Sequence, residues 1–415
     1  MTRQVAAPFL PSSADVRTTD GVPAARRVTS DVAARLVFAL AKANTKAATL
    51  PSAAGVGDWG RVLQLASDEN ALIVLRNALR SADRRVVPSE VERQLAILSL
   101  DREFRMRLLR NRLEQLLVVL NRAKIEVLLL KGGALAATVY DSFVARPMRD
   151  IDLLVRPEHA DRARALMLTL DWCADPELPG DRSYSTHHHF PPLRDLAASG
   201  LRLEIHRSLL PAGHPFRFTD DEVWGGARPI RVGMGRALAM HPAHHAVHIA
   251  IHFAWSHMMK LGGWNAFRDL DTLDGAGMLD SSDFTRTAMR WGAASCCYWT
   301  LRLARELSAF PVRQSVLHEL RPRLPEIVRR SLSRHFANGA TQTGPGCPSA
   351  RLDQALWSLA MQPHRDGHGD VRPWLVSLDL LFALNEKARH TEAALSESPF
   401  LQMRRSSRYI STILA

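Results

Sequence analysis

Between residues 131 and 206 the chain carries, in order, groups able to hold a polyphosphate and a divalent cation. Lys131-Gly132-Gly133 follows the apolar run Ile125 to Leu130. Two glycines where a strand gives way to a helix let a ligand approach the backbone. They also leave the first helical N–H groups pointing outward, which makes an anion site. Asp150-Ile151-Asp152 comes next, within DIDLLV. Residues two apart on a strand share a face, so both carboxylates project to one side, with Ile151 and Leu153 on the other. Leu201 to His206 (LRLEIH) alternates strictly. Arg202, Glu204 and His206 therefore form a polar face opposite Leu201, Leu203 and Ile205. Asp150, Asp152 and Glu204 gathered in one patch repel one another unless divalent metal neutralises them. Hard oxygen donors with room for phosphate suit Mg²⁺ or Mn²⁺. A two-metal site would activate an attacking oxygen and stabilise a leaving pyrophosphate.

These residues need a small sheet to hold them. The pattern predicts strands over Ile125 to Leu130, Asp150 to Val155 and Leu201 to His206, with a helix over Ala134 to Tyr140 and another opened by Pro157. Ser89 followed by Glu92 reads as a capping box that starts a long helix ending near Arg122. Its apolar stripe is Leu95, Leu98, Phe104, Leu108, Leu109, Leu113, Leu116 and Leu120. The expected fold class is α+β: a small mixed-sheet core flanked by N- and C-terminal helical regions. The expected boundaries are a flexible arm over 1–28, a helical region over 29–122, the α/β core over 123–210, a second helical region over 211–392 and a frayed tail over 393–415.

The run VLLLKGGALAATVYDSFVARPMRDIDLLVRPEH with the later LEIHRSL resembles nucleotidyltransferase-fold proteins of the DNA polymerase beta type. It is most similar to the bacterial group of uncharacterised nucleotidyltransferases. The group's pattern is matched by Leu130-Lys131-Gly132, Arg146, Asp150 to Val155, and Glu204 with His206. HHAVHIAIHFAWSH and FRDLDTL resemble that group's histidine-containing helix and the Asp-Leu segment after it. The likeness spans roughly residues 30 to 280 and is specific only over 128–206. One departure is a longer insert, DSFVARP, before the first aspartate. It carries Arg146, which the narrower group shares.

The resemblance implies transfer of a nucleoside monophosphate from an NTP to an unidentified acceptor (small molecule, peptide or RNA), with release of pyrophosphate. Gly132 and Gly133 would cradle the triphosphate. Asp150 and Asp152 would hold metal, and Glu204 would complete the site as ligand or base. Lys131, Arg146 and Arg149 would offset phosphate charge, and His206 would contact substrate or a metal-bound water. The competing reading is a catalytically degenerate protein that binds nucleotide or RNA, or docks a partner, without turnover.

The rest of the sequence sets bounds. Lys+Arg 54 against Asp+Glu 42 leaves a net charge of +12 over 415 residues. Only six of the basic residues are lysine, and the arginines are scattered rather than packed in one run, so the charge alone does not indicate a polyanion partner. Cys173, Cys296, Cys297 and Cys347 show no CxxC spacing, which fits buried thiols in a reducing compartment rather than a disulfide scaffold. With no apolar leader and no run of membrane-spanning length, the chain reads as soluble and cytoplasmic. His241, His245, His248 and His252 share a helical face. Without a Cys pair or HExxH among them, they read as partly buried, hydrogen-bonded residues of an interface helix.

Overall fold

The computed structural model describes residues 31–42, 56–80, 87–175, 184, 187–196, 200–343, 346–347, 349–361 and 399–414. The proposed arm at 1–28 lies outside them. Helices α1 (Val32–Ala39), α2 (Trp59–Asp68), α3 (Leu72–Arg80) and α4 (Ser89–Arg122) come first. The α/β segment follows as β1 (Leu128–Leu129), α5 (Lys131–Thr138), β2 (Asp150–Leu154), α6 (Pro157–Leu168), β3 (Trp172–Ala174), β4 (Leu193–Asp195) and β5 (Arg202–His206). Helix α7 (Asp220–Gly225) leads into a hairpin of β6 (Arg228–Val232) and β7 (Gly235–Ala239).

Helix α8 (Pro242–Ile251) then runs into a π-helical turn at His252–Ser256. It is followed by α9 (Gly263–Gly275), α10 (Ser281–Arg290), α11 (Ala294–Ser308), α12 (Gln314–Glu319), α13 (Glu326–Thr341), α14 (Ala350–Ala360) and α15 (Pro399–Leu414).

The fold is α+β. One mixed seven-stranded sheet has the order β3-β4-β5-β2-β1-β7-β6. The β2–β5 and β1–β7 pairs are parallel and the other pairs antiparallel. The hairpin at 228–239 belongs to this sheet, so the core extends beyond the 210 boundary that the sequence suggested. Its RPIRV strand is mostly exposed, with only Ile230 and Val232 turned inward, which hides it in the sequence. Of the tail expected to be frayed at 393–415, residues 393–398 lie outside the described ones, whereas 399–414 form α15, which packs on α13 and buries Tyr409.

Two apolar cores are joined by α4. One packs helices before and after the sheet together with Leu128 and Leu154 of the sheet; the other lies between the sheet and helices α4 and α6. At 34 residues, α4 is about 51 Å long. Leu95 enters the helical core, and Met106, Leu109, Leu113, Leu116, Leu117 and Leu120 enter the sheet core. Phe104, placed in the stripe by spacing, is 67% exposed. The expected capping box is also absent: Pro88 stands at the N-cap and no side chain caps the helix. Where α4 crosses β7, a Cβ on Gly235 would sit 2.5 Å from Cβ of Leu117, so only glycine allows the approach.

Glu69 ties the first helices to the C-terminal ones. It is fully buried and accepts hydrogen bonds from the N–H of Gly262 (3.2 Å) and of Trp264 (3.0 Å), at the start of α9. Burial pushes its carboxyl up to about 7 from 4.5, against the pull of those two amides. The folded state thus holds this proton more tightly than the unfolded chain. The stability it contributes is full below about 4.5 and is lost as pH rises through about 7. Glu69→Gln keeps an acceptor oxygen and cannot ionise, so its melting temperature relative to wild type should climb across that window. A pH-independent difference would show that Glu69 keeps an ordinary carboxyl pKa.

Candidate active site

β2 and β5 run parallel in a register that sets Asp150 beside Arg202 and Asp152 beside Glu204. Partners in such a pair project to the same side, so the alternation expected from the sequence brings the three carboxylates together. Ile151, Leu153, Leu203 and Ile205 are buried in the core beneath. The sheet also delivers the Lys131 turn. The N–H of Leu130 bonds the carbonyl of Asp152 at 3.1 Å, which seats the start of α5 directly against β2.

The patch is neutralised from within the chain. Lys131 Nζ lies 2.7 Å from Asp152 Oδ1, and His206 Nε2 lies 3.1 Å from the same oxygen and 3.5 Å from Glu204 Oε2. Metal is therefore not the only means of relieving the repulsion. Lys131, which the sequence assigned to phosphate, here meets the carboxylate. It does so from a left-handed backbone with φ 47°, a strained conformation for a residue with a side chain.

Burial raises the Asp152 carboxyl, but Lys131 and the hydrogen bond from His206 outweigh it and hold the group well below its usual range. Burial and the Asp152 charge push Asp150 up to about 7; the Lys131 and His206 charges also pull downward there but do not prevail. His206 is raised: burial disfavours its cation, and hydrogen bonds to Asp152 and Glu204 prevail.

The donor set suits a hard divalent cation. One atom each from Asp152, Glu204 and His206 lie within 4.8 Å of one another. Glu204 is only half-buried, and His206 Nδ1 is buried without a hydrogen-bond partner. Carboxylate oxygens are the ordinary ligands of Mg²⁺ and Mn²⁺.

Helix α5 starts at Lys131 with Leu130 as N-cap and no side-chain cap. Its first-turn amides, including those of Gly132 and Gly133, have no intrahelical acceptors. The two glycines differ in surroundings. A Cβ on Gly132 would lie 3.3 Å from the Arg146 guanidinium, whereas one on Gly133 would meet nothing within 4 Å. The first is glycine to admit Arg146, and the second opens toward free space.

Arg146 is not placed to touch phosphate. Buried, it forks onto Asp269 of α9, with Nε to Oδ1 at 2.6 Å and Nη2 to Oδ2 at 2.7 Å, and it donates to the Pro147 carbonyl at 2.7 Å. Tyr140 Oη donates to the same Asp269 at 2.7 Å. The sequence expectation for this residue is thereby corrected: its fork supports the glycine turn from behind. Arg149 also takes a different place, with Nη2 donating to the carbonyls of Ser67 (3.3 Å) and Asp68 (2.9 Å) at the end of α2. It lines a cleft of about 310 Å³ with Arg102, Arg105, Arg194 and Arg202. This cleft adjoins the Asp150 end of β2, since Arg202 is the register partner of Asp150.

Asp269, Tyr140 and His245 were missed as site-supporting residues by reasoning from sequence. His245 hydrogen-bonds the backbone of Lys131. FRDLDTL marks Asp269 as part of a pattern, and a lone aspartate on a helix gives no sign of which arginine it meets. Helix α8 is buried throughout, more deeply than the partly buried, hydrogen-bonded histidines expected of it, and His245 Nε2 and His248 Nδ1 are buried without a hydrogen-bond partner. Burial lowers His245 to about 4 and His248 well below its usual value, so these rings stay neutral. His189 bridges to His206 in the sheet, and the His188 ring lies 5.2 Å from that of His206.

Residues 56–309 match the model of a family described as uncharacterised nucleotidyltransferase. The chain belongs to this family. No curated protein and no solved structure matches it. Cys173, Cys296, Cys297 and Cys347 are free thiols, and among the described residues no helix is long and apolar enough to cross a membrane.

Proposed function

We propose that the protein transfers a nucleoside monophosphate from an NTP to an acceptor and releases pyrophosphate, with Asp150, Asp152 and Glu204 holding Mg²⁺ or Mn²⁺. The observation that carries the reading is the parallel register of β2 and β5, which sets Asp152 beside Glu204 next to the uncapped start of α5. When bound, the two cations supply charge neutralisation at the attacking oxygen and at the leaving pyrophosphate.

The chain's own residues do the rest by positioning and electrostatics. The Gly132 and Gly133 amides hold triphosphate oxygens at the positive end of α5. Lys131 offsets the Asp152 charge in the free protein, and its ammonium would be available to a phosphate oxygen were a cation to take that role. His206 orients Asp152 and Glu204 through one nitrogen. The arginine cleft beside Asp150 provides a surface for an anionic acceptor, small molecule, peptide or RNA.

Gly133→Val tests the turn. Valine has higher helix propensity than glycine by a few tenths of a kcal/mol, and its side chain would enter open space. The melting temperature should hold while NTP-dependent thermal stabilisation with Mg²⁺ and pyrophosphate release are both lost. Retained NTP binding in a folded variant would make the turn merely structural.

The pairing of Asp152 with Lys131 and His206 also favours a second reading, a site that binds nucleotide without turning it over. NTP binding with no pyrophosphate from any NTP, Mg²⁺ or Mn²⁺, and a host extract supplying acceptors would select it.

A further inference from the structure

A second polar centre lies outside the family-matched segment, where four parts of the chain converge. His335 comes from α13, Asp353 from α14, Cys347 from the segment between them and Tyr409 from α15. One atom each from His335, Cys347 and Asp353 lie within 4.8 Å of one another. These three residues and Tyr409 line a cavity of about 380 Å³ with Met258 and Met259. We propose that His335 Nε2, Cys347 Sγ and Asp353 Oδ1 bind a zinc-class transition-metal ion, with its fourth position open to the cavity.

The donor types set the class of metal. A nitrogen, a sulfur and one carboxylate oxygen suit Zn²⁺ and its neighbours, whereas Mg²⁺ prefers oxygen. Tetrahedral zinc, with bonds of about 2.0–2.3 Å, keeps its donors roughly 3.3–3.8 Å apart. The three donors lie within 4.8 Å of one another, and His335 Nε2 and Asp353 Oδ1 are already 3.2 Å apart, so the closure needed is at most about 1–1.5 Å.

Each ligand already has a partner that orients it, as metal ligands do. His335 Nδ1 and the Tyr409 hydroxyl are 2.6 Å apart, and Nε2 faces Asp353 Oδ1 at 3.2 Å. A hydroxyl serves either ring tautomer. Turning it to accept from Nδ1 places the proton there and frees the Nε2 lone pair. Lys260 pairs with the other Asp353 oxygen, Oδ2, and leaves Oδ1 for the metal.

Cys347 Sγ is 3.5 Å from the Ser349 carbonyl, which accepts its weak S–H bond. The thiol proton leaves to solvent as the sulfur–metal bond forms. A nucleophilic role for this cysteine fits less well, because burial and then Asp353 raise its pKa, and reactive thiols need the reverse.

The test uses the full chain, freed of metal and titrated with Co²⁺. The expected spectrum has tetrahedral ligand-field bands and a thiolate-to-cobalt charge-transfer band, both removed by Zn²⁺. Cys347→Ser should abolish the charge-transfer band and weaken Zn²⁺ binding by more than about 10-fold, the least cost of disturbing a metal's surroundings. Asp152→Asn should leave the band intact, which separates this centre from the carboxylate patch whether or not that patch is catalytic. Absence of the band in the wild-type protein overturns the proposal without recourse to any variant. A band that survives in Cys347→Ser, or disappears in Asp152→Asn, overturns it as well.

Discussion

Asp152→Asn should lower pyrophosphate release by about 10²-fold or more, the scale of losing a main electrostatic contributor. The substitution is nearly isosteric, and it removes the charge that Lys131 and His206 share in the free protein. Three carboxylates considered alone would suggest that the metal-free variant gains stability through relieved repulsion. The Lys131 contact reverses that sign. The Lys131 side chain, 23% exposed, would face an amide instead of a carboxylate, at a cost of about 1–3 kcal/mol because the amide oxygen still accepts. Metal-free melting temperature should therefore fall together with turnover. Adding Lys131→Met should recover part of the stability and none of the turnover. Undiminished turnover in Asp152→Asn would rule out the proposed site, and unchanged stability would mean that Lys131 is held by other groups.

The largest loss of stability is expected at Arg146. Arg146→Ala leaves Asp269, whose side chain is only 4% exposed, with Tyr140 as its remaining hydrogen-bond donor among the described residues. Breaking a buried ion pair on one side typically costs about 3–5 kcal/mol. Arg146→Lys should recover little, since an ammonium cannot reproduce the two-pronged contact. The guanidinium also backs Gly132, so NTP-dependent stabilisation should weaken in both variants. Paired removal, Arg146→Met with Asp269→Leu, should restore stability more than NTP binding, because no buried charge is left unpartnered while the turn still lacks its support. Urea unfolding with and without Mg²⁺ and NTP measures both quantities. Wild-type stability in Arg146→Lys would show that the fork does not anchor the turn.

Local pattern in the sequence determined much of this protein. Alternation in LRLEIH and the Asp-x-Asp spacing fixed which side chains share a face, because the two-residue period of a strand leaves no other arrangement. The glycine pair, the apolar run before it and the proline at 157 fixed the strand, turn and helix that position Lys131. An α+β class with helical flanks followed from these periods. What only the tertiary structure decided was which charges meet. Lys131 and Arg146 lie 15 residues apart in a segment that reads as phosphate-binding, yet one contacts Asp152 and the other Asp269, 123 residues away. Ion pairing at such separations depends on packing between elements, and local composition carries no record of it. The hairpin at 228–239 escaped notice for a related reason. Its buried face is made of Gly235, Ala237 and Ala239, too small to stand out as an apolar run, and its place beside β1 is set by pairing across the sheet. Neutralisation of the carboxylate patch, and hence the sign of the Asp152 stability effect, likewise required the folded chain to bring Lys131 and His206 onto one oxygen.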